Sequence, residues 1–128
     1  DFLLGSEDGS IFCGSRQGIG EAARSPLKSR MQGHSAPVTS LHVHPPSEAP
    51  RPDFSHLVLS TSLDSSCRIW DRKRGASLFT FDLASTESLM DAKWSPTHPA
   101  LFATADAAGE LLLWNLCESV EAPVARAS

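Results

Sequence analysis

The sequence predicts an all-β chain made of repeated antiparallel sheets, on three observations. Its apolar runs are short, rich in β-branched and aromatic residues, and separated by polar turns. The stretch "LVLSTSLDSSCRIWD" (57–71), shifted forward by 44 residues, falls without a gap on "LFATADAAGELLLWN" (101–115). Each copy closes on a tryptophan followed by a polar residue, Trp70-Asp71 and Trp114-Asn115. Self-similarity at a fixed period marks a repeat architecture, in which each unit buries its apolar faces only against its neighbours.

The repeat extends upstream. "VTSLHVHP" (38–45) aligns with "LMDAKWSP" (89–96), ending with Pro45 over Pro96, after which the first copy carries a Pro-rich insertion, "PSEAPRPDFSH". A partial third copy, "FLLGSEDGSIF" (2–12), places Asp8-Gly9 where Asp64-Ser65 stand. A period in the low forties, with Gly33-His34 ahead and Trp70-Asp71 behind, is the mark of a four-stranded β-propeller blade of the WD type.

The strands follow in order. Residues 1–32 read as a partial blade with strands B, C and D near 2–5, 10–13 and 27–32. Residues 33–84 read as a full blade with strands at 37–44, 57–62, 66–71 and 77–82 and the Pro-rich insertion in its A–B loop. Residues 85–128 read as a further blade with strands at 88–94, 100–105 and 110–115 and a weak last strand near 121–127. "SLFTFD" (77–82) sets Phe79 and Phe81 on one face, as an outer strand requires. "LLLW" (111–114) does not alternate, as expected of an inner strand covered on both faces. "GEAAR" (20–24) is helix-like but too short to stand alone. Fewer than three blades leave two apolar ends uncovered. The expectation is therefore an incomplete arc of a larger, seven-bladed propeller, the rest supplied by further chain or another molecule.

Composition narrows the function. The 128 residues carry a net charge of −4, which argues against broad affinity for nucleic acid or anionic membrane. No apolar run approaches the length of a bilayer span. Cys13, Cys67 and Cys117 form no C-x-x-C pair, so neither a disulfide framework nor a zinc site is expected. They read as buried or half-buried thiols of a reducing compartment.

Four groupings could carry chemistry. His34, Ser60 or Ser62, and Asp64 have the residue types of a hydrolase triad, but no G-x-S-x-G elbow accompanies them. In WD-type repeats a His before strand A, a Ser or Thr in strand B, an Asp in the B–C turn and a Trp in strand C make a buried hydrogen-bond relay. His34, Ser60, Asp64 and Trp70 hold those places, so the structural reading leads. In the next blade Ala108 replaces Asp64 and a residue near Ser85 replaces His34, which predicts that packing alone holds Trp114. "GIGEAA" (18–23) matches a dinucleotide fingerprint, but lacks the strand before it and the long helix after it. His42 and His44 share a strand face, and with His34 a metal site is conceivable, but no thiol or carboxylate completes it. Neither cofactor nor metal nor small-molecule ligand is expected. The cations Arg72, Lys73 and Arg74 at a blade tip, and His98 in "PTHP" (96–99), are candidate partner contacts.

"DFSHLVLSTS" (53–62), "KWSPTHPALFATAD" (93–106) and "LLLWNL" (111–116) resemble the WD-repeat propeller of cytoplasmic dynein intermediate chains. "GSEDGSIF" (5–12), "GHSAPVTSLHVH" (33–44) and "VEAPVA" (120–125) fit the same region in the same order. Axonemal and intraflagellar dynein intermediate chains share the Pro-x-His-Pro element. The turn "LDSSCRIW" departs by lacking an aromatic after its Asp, and "ADAAGELLLW" is also diverged. The resemblance implies a non-catalytic scaffold of a microtubule motor whose propeller docks on the dynein heavy chain. Light chains and dynactin would be recruited by an N-terminal region outside these residues. The implied location is the cytoplasm and the microtubule cytoskeleton, or the cilium for the axonemal type. WD modules of chromatin or ubiquitin-ligase assemblies are the competing class.

Overall fold

The computed structural model describes residues 2–14, 27–47, 52–82, 87–118 and 123–127. Eleven strands occur there and no helix does: β1 (Phe2–Gly5), β2 (Ile11–Gly14), β3 (Leu27–Met31), β4 (Val38–Val43), β5 (Leu57–Ser62), β6 (Ser66–Asp71), β7 (Ala76–Asp82), β8 (Leu89–Trp94), β9 (Leu101–Asp106), β10 (Leu111–Asn115) and β11 (Ala125–Ala127). They form three antiparallel meanders, β1-β2-β3, β4-β5-β6-β7 and β8-β9-β10-β11. "GIGEAA", "GEAAR" and Ser85 lie outside the described residues. The last strand is only three residues long, pairing Leu111–Leu113 with Ala125–Ala127.

The 44-residue repeat is visible in individual hydrogen bonds. His44 N–H donates to the Leu57 carbonyl (2.9 Å), and Ser95 N–H to Leu101 (2.8 Å). Arg72 N–H donates to His56 (2.8 Å), and Leu116 N–H to Ala100 (2.9 Å). Asp71 Oδ1 accepts from Lys73 N–H (2.9 Å), and Asn115 Oδ1 from Cys117 N–H (3.0 Å). The polar residue after each tryptophan therefore caps a turn.

The sheets stack face to face through alternate side chains of the middle one. Val58 and Trp70 turn to the first sheet and meet Ile11 and Met31, flanked by Leu3, Cys13, Val38, Leu41 and Val43. Leu59, Cys67, Ile69 and Phe81 turn to the third sheet and meet Leu89, Ala92, Trp94, Phe102, Leu112 and Trp114. Strand β5 is accordingly buried almost throughout, the pattern of a strand covered on both faces. An aromatic cluster closes the second interface: the Phe81 and Trp114 ring centroids lie 5.1 Å apart, and Phe102 stacks on Trp114 at 6.0 Å with 6° between planes. Phe79 keeps contact with Phe81 (6.3 Å) but is itself exposed, because only Phe81 reaches that cluster.

Polar bonds also cross between the second and third sheets. Trp94 N–H donates to His42 Nδ1 (2.9 Å), and Trp94 Nε1–H to the His42 carbonyl (3.1 Å). Thr39 Oγ1–H donates to the Leu89 carbonyl (2.8 Å). Neighbouring sheets are thus fixed in angle and height, as well as pressed together by apolar burial.

In the first sheet Gly14 occupies the place of Trp70. A Cβ there would collide with the Phe2 ring, so that ring covers the gap that the missing tryptophan leaves. The thiols divide: Cys67 is buried, which pushes its pKa up, Cys13 is half-buried, and Cys117 is exposed. Cys117 departs from the expectation because it stands in the turn after β10, beyond the last core side chain.

Candidate functional site: a buried relay and a loop-bearing face

The segment before β4, strands β5 and β6, and the turn joining those strands bring His34, Ser60, Asp64 and Trp70 together. Trp70 Nε1–H donates to Ser60 Oγ (2.8 Å), and Ser60 Oγ lies 2.7 Å from His34 Nε2. His34 Nδ1 lies 3.1 Å from Asp64 Oδ2. Since an ionised carboxylate only accepts, the network assigns the imidazole proton to Nδ1 and makes Nε2 the acceptor of the Ser60 hydroxyl. Asp64 is held in turn by Ser35 N–H (3.0 Å), Ser66 N–H (2.9 Å) and the Ser66 hydroxyl.

Ser66 is the member that motif reading missed. Its Oγ touches both Asp64 and His34 Nδ1 (3.0 Å). Its sequence signal is the Asx turn itself: Asp64 followed two residues later by a hydroxyl. Ser62 touches neither His34 nor Trp70; it donates to the Ala36 carbonyl (3.0 Å) and accepts from the Asp64 N–H (3.1 Å), bracing the turn.

This geometry has the connectivity of a nucleophile–base–acid triad, so accessibility decides its meaning. Ser60 is 0% exposed and His34 6%. The Ser60 hydroxyl oxygen is capped by the Trp70 N–H, leaving no room for a carbonyl carbon to approach. Gly33 closes the lid: a Cβ there would lie 2.7 Å from Trp70 Cη2, so only glycine lets the chain pass over the indole. A triad needs an exposed nucleophile beside oxyanion donors. What the relay does is satisfy the polar atoms of a tryptophan and a histidine inside an apolar stack.

Charge follows the same logic. Burial pushes the His34 pKa below its ordinary value, and Asp64 only partly restores it. Burial raises Asp64, but the Ser66 hydroxyl, the Ser35 and Ser66 N–H groups and His34 outweigh it and hold the carboxyl at about 2. His42 is likewise pushed down by burial and by Lys93. A group whose folded pKa is depressed contributes stability above its unfolded pKa and loses it as pH falls. Urea midpoints should therefore be flat between pH about 7 and 8, below the point where the unfolded Cys67 thiol begins to ionise. They should decline as pH drops below about 6.5, where the unfolded histidines take up protons first, and decline again between about 4 and 2. A midpoint that rises on acidification from pH 7 to 5 would contradict these assignments.

The third sheet shows the same frame with other residues. Trp114 is not held by packing alone: its Nε1–H lies 3.3 Å from Thr104 Oγ1. Thr104 stands at the Ser60 position of the repeat, so a longer version of the Trp–hydroxyl bond survives without its histidine. Asp106 stands two residues ahead of the Asp64 position and braces the turn from there, its Oδ1 accepting from Ala108 N–H (3.0 Å) and Glu110 N–H (2.9 Å). In the first sheet Asp8 accepts from Ser10 N–H (2.9 Å) and pairs with Arg30 (2.9 Å).

His42 and His44 both face the third sheet. The His44 ring lies 4.7 Å from the Trp94 ring, with Nε2 2.9 Å from the Pro99 carbonyl. His34 precedes β4 and His44 follows it, so the three imidazoles do not converge. Among the described residues no three metal-ligating side chains form a cluster. The candidate contacts Arg72, Lys73, Arg74 and His98 all lie on the side of the arc that carries the A–B loops. Arg72 Nη2–H donates to the Ser55 carbonyl (2.6 Å), and His98 N–H donates to Ser95 Oγ (3.1 Å). Residues 48–51 of the Pro-rich loop, Pro50 among them, fall outside the described set; Pro46, Pro52 and Asp53 are exposed.

Comparison with known proteins agrees with this frame. The family "WD domain, G-beta repeat" matches residues 25–71. The propeller domain of Myceliophteria thermophila Cps50 (Swd1) superposes with a TM-score of 0.69 at 19% identity, covering 98% of this chain and 32% of that one. A chain of the mitotic checkpoint complex superposes with a TM-score of 0.75 at 21% identity, covering 98% and 35%. The fold is therefore an arc of β-propeller blades, with a WD repeat at residues 25–71. In sequence it is similar to cytoplasmic dynein 1 intermediate chain of Drosophila melanogaster, with 38% identity over 123 residues. That alignment takes in 96% of this chain and 18% of the relative, so the chain spans under a fifth of that protein's length.

Proposed function

We propose that this arc is a non-catalytic scaffold segment of a cytoplasmic, microtubule-associated dynein motor complex, and that it docks on the motor heavy chain. The observation that carries the reading is 38% identity to a dynein intermediate chain, sustained over nearly every residue. The fold suits the role. The described parts of the A–B loop (45–47 and 52–56), the turn 71–75 and the loop 96–99 lie on one side of the stack. Arg72 ties the turn to Ser55 and His56, and His44 ties its own loop to Pro99. Three loops fixed to one another on packed sheets make a presenting surface rather than a reaction site. Light chains and dynactin would engage other parts of the same polypeptide.

The test is coprecipitation from cells with the full-length protein. Residues 46–52 are replaced by a short Gly-Ser link, leaving the Asp53–Ser55 turn and Arg72 contacts in place. The expected result is recovery of dynein heavy chain with the natural protein and at least tenfold less with the variant. Unchanged recovery would remove this loop from the interface. Histones or ubiquitin-ligase adaptors in place of heavy chain would overturn the assignment itself.

A further inference from the structure

A cleft of about 460 Å³ opens between the first and second sheets on the side of the A–B loops. Its two walls differ in chemistry. The first sheet contributes Leu3 and Cys13, and the second contributes His56, Arg72, Lys73 and Arg74. We infer that this cleft binds an acidic peptide segment of a partner protein, with an apolar side chain on the Leu3–Cys13 wall and its carboxylates on the cationic wall.

The cations there are poorly neutralised. Arg72 spends Nη2 on the Ser55 carbonyl, while its Nε–H is buried and meets no acceptor among the described residues. Lys73 makes no ion pair among the described residues. Arg74, 78% exposed, has only a 3.7 Å approach to Asp71, whose other oxygen is committed to the Lys73 N–H. Three consecutive positive side chains thus face one partly used carboxylate, in a chain whose net charge is −4. Charge placed against the overall balance marks a surface where an anion is attracted locally.

The class of anion follows from the opposite wall and from the charge of the whole chain. The apolar wall gives a bare phosphate or a nucleic-acid backbone nothing to pack on, and the chain's overall negative charge repels a long polyanion. A peptide carrying both carboxylates and an apolar side chain matches both walls. The volume lies within the range of about 300–1,000 Å³ typical of ligand clefts, room for a few residues rather than a domain. Gly75, on the rim, has no atom within 4 Å of a notional Cβ, so the mouth is open there. The inference stands apart from the motor reading, since an acidic ligand would bind whichever assembly the arc serves.

Fluorescence anisotropy on the full chain tests it. The probe is a labelled Glu-Leu-Glu-Glu-Leu-Glu peptide, with the Lys-for-Glu peptide and a single-stranded oligonucleotide of equal charge as controls. The acidic peptide is expected to bind saturably and to weaken severalfold between 50 and 300 mM salt, as a screened charge contact must. The double variant K73E/R74E should bind at least tenfold more weakly with an unchanged melting curve. R74E alone, at a mostly exposed position, gives a smaller loss in the same direction and guards against misfolding of the double variant. Absence of saturable binding, equal binding by the variants, or equal binding of the oligonucleotide would each overturn the inference. None of these outcomes alters the heavy-chain coprecipitation.

Discussion

Trp70→Ala is expected to destabilise the chain by about 3–5 kcal/mol, the range for removing a buried aromatic side chain from a packed core. Trp70 is 1% exposed, fills the interface with Ile11, Met31 and Val58, and supports Gly33 and Arg68 from beneath. Removing it opens a cavity between sheets and takes away one of the two partners of the Ser60 hydroxyl. Against a typical domain stability of about 5–15 kcal/mol, that loss brings the fold near its limit. Trp70→Phe keeps most of the ring packing and drops only the indole N–H, so about 1–2 kcal/mol is expected. Guanidinium denaturation separates the cases. Equal midpoints for natural chain and Trp70→Ala would mean that the two sheets are not packed through this side chain.

Ser60→Ala should be the costliest substitution that removes a single atom. The hydroxyl serves two buried partners, accepting from Trp70 Nε1–H and donating to His34 Nε2. Its loss leaves both unsatisfied, at about 1–3 kcal/mol each. Thr104→Val is the internal control: it orphans only Trp114 Nε1–H, across a longer 3.3 Å contact, and should cost less than half as much. The double variant His34→Ala/Ser60→Ala should cost clearly less than the sum of the single ones, with a coupling of about 0.5–3 kcal/mol. Strict additivity would show that the two side chains are not bonded. An active-site serine gives the opposite pattern, tolerance of the substitution by the fold and loss of a measurable activity.

Much of the architecture was legible because the repeat multiplies weak signals. No single run such as "LVLSTS" distinguishes an edge strand from a core strand, but two copies in register with the same terminal tryptophan do. The relay was legible for a similar reason, since the identities of His34, Ser60, Asp64 and Trp70 and their spacing constrain one another. The bonds between sheets were not. His42–Trp94 and Thr39–Leu89 join residues fifty or so apart whose types suit many surroundings, and only the angle of one sheet on the next decides that they meet. The third sheet misled column-by-column comparison. Ala108 stands where Asp64 does, yet the bracing carboxylate persists at Asp106, two residues upstream, because an Asx turn accepts its carboxylate at either register. Thr104 under Ser60 was readable in the repeat and already hinted that Trp114 keeps a hydroxyl partner. Surface chemistry was the least legible: Arg72, Lys73 and Arg74 stood out as a cluster, but their facing wall of Leu3 and Cys13 comes from a different sheet.

Solution NMR distances between aromatic rings of adjacent sheets test the stacked arc most directly. Strong contacts are expected from the Trp114 indole to the ring of Phe81, and from the Trp70 indole to the methyl groups of Ile11 and Met31. Trp70 and Trp114 that both contact only residues of their own sheets would contradict it.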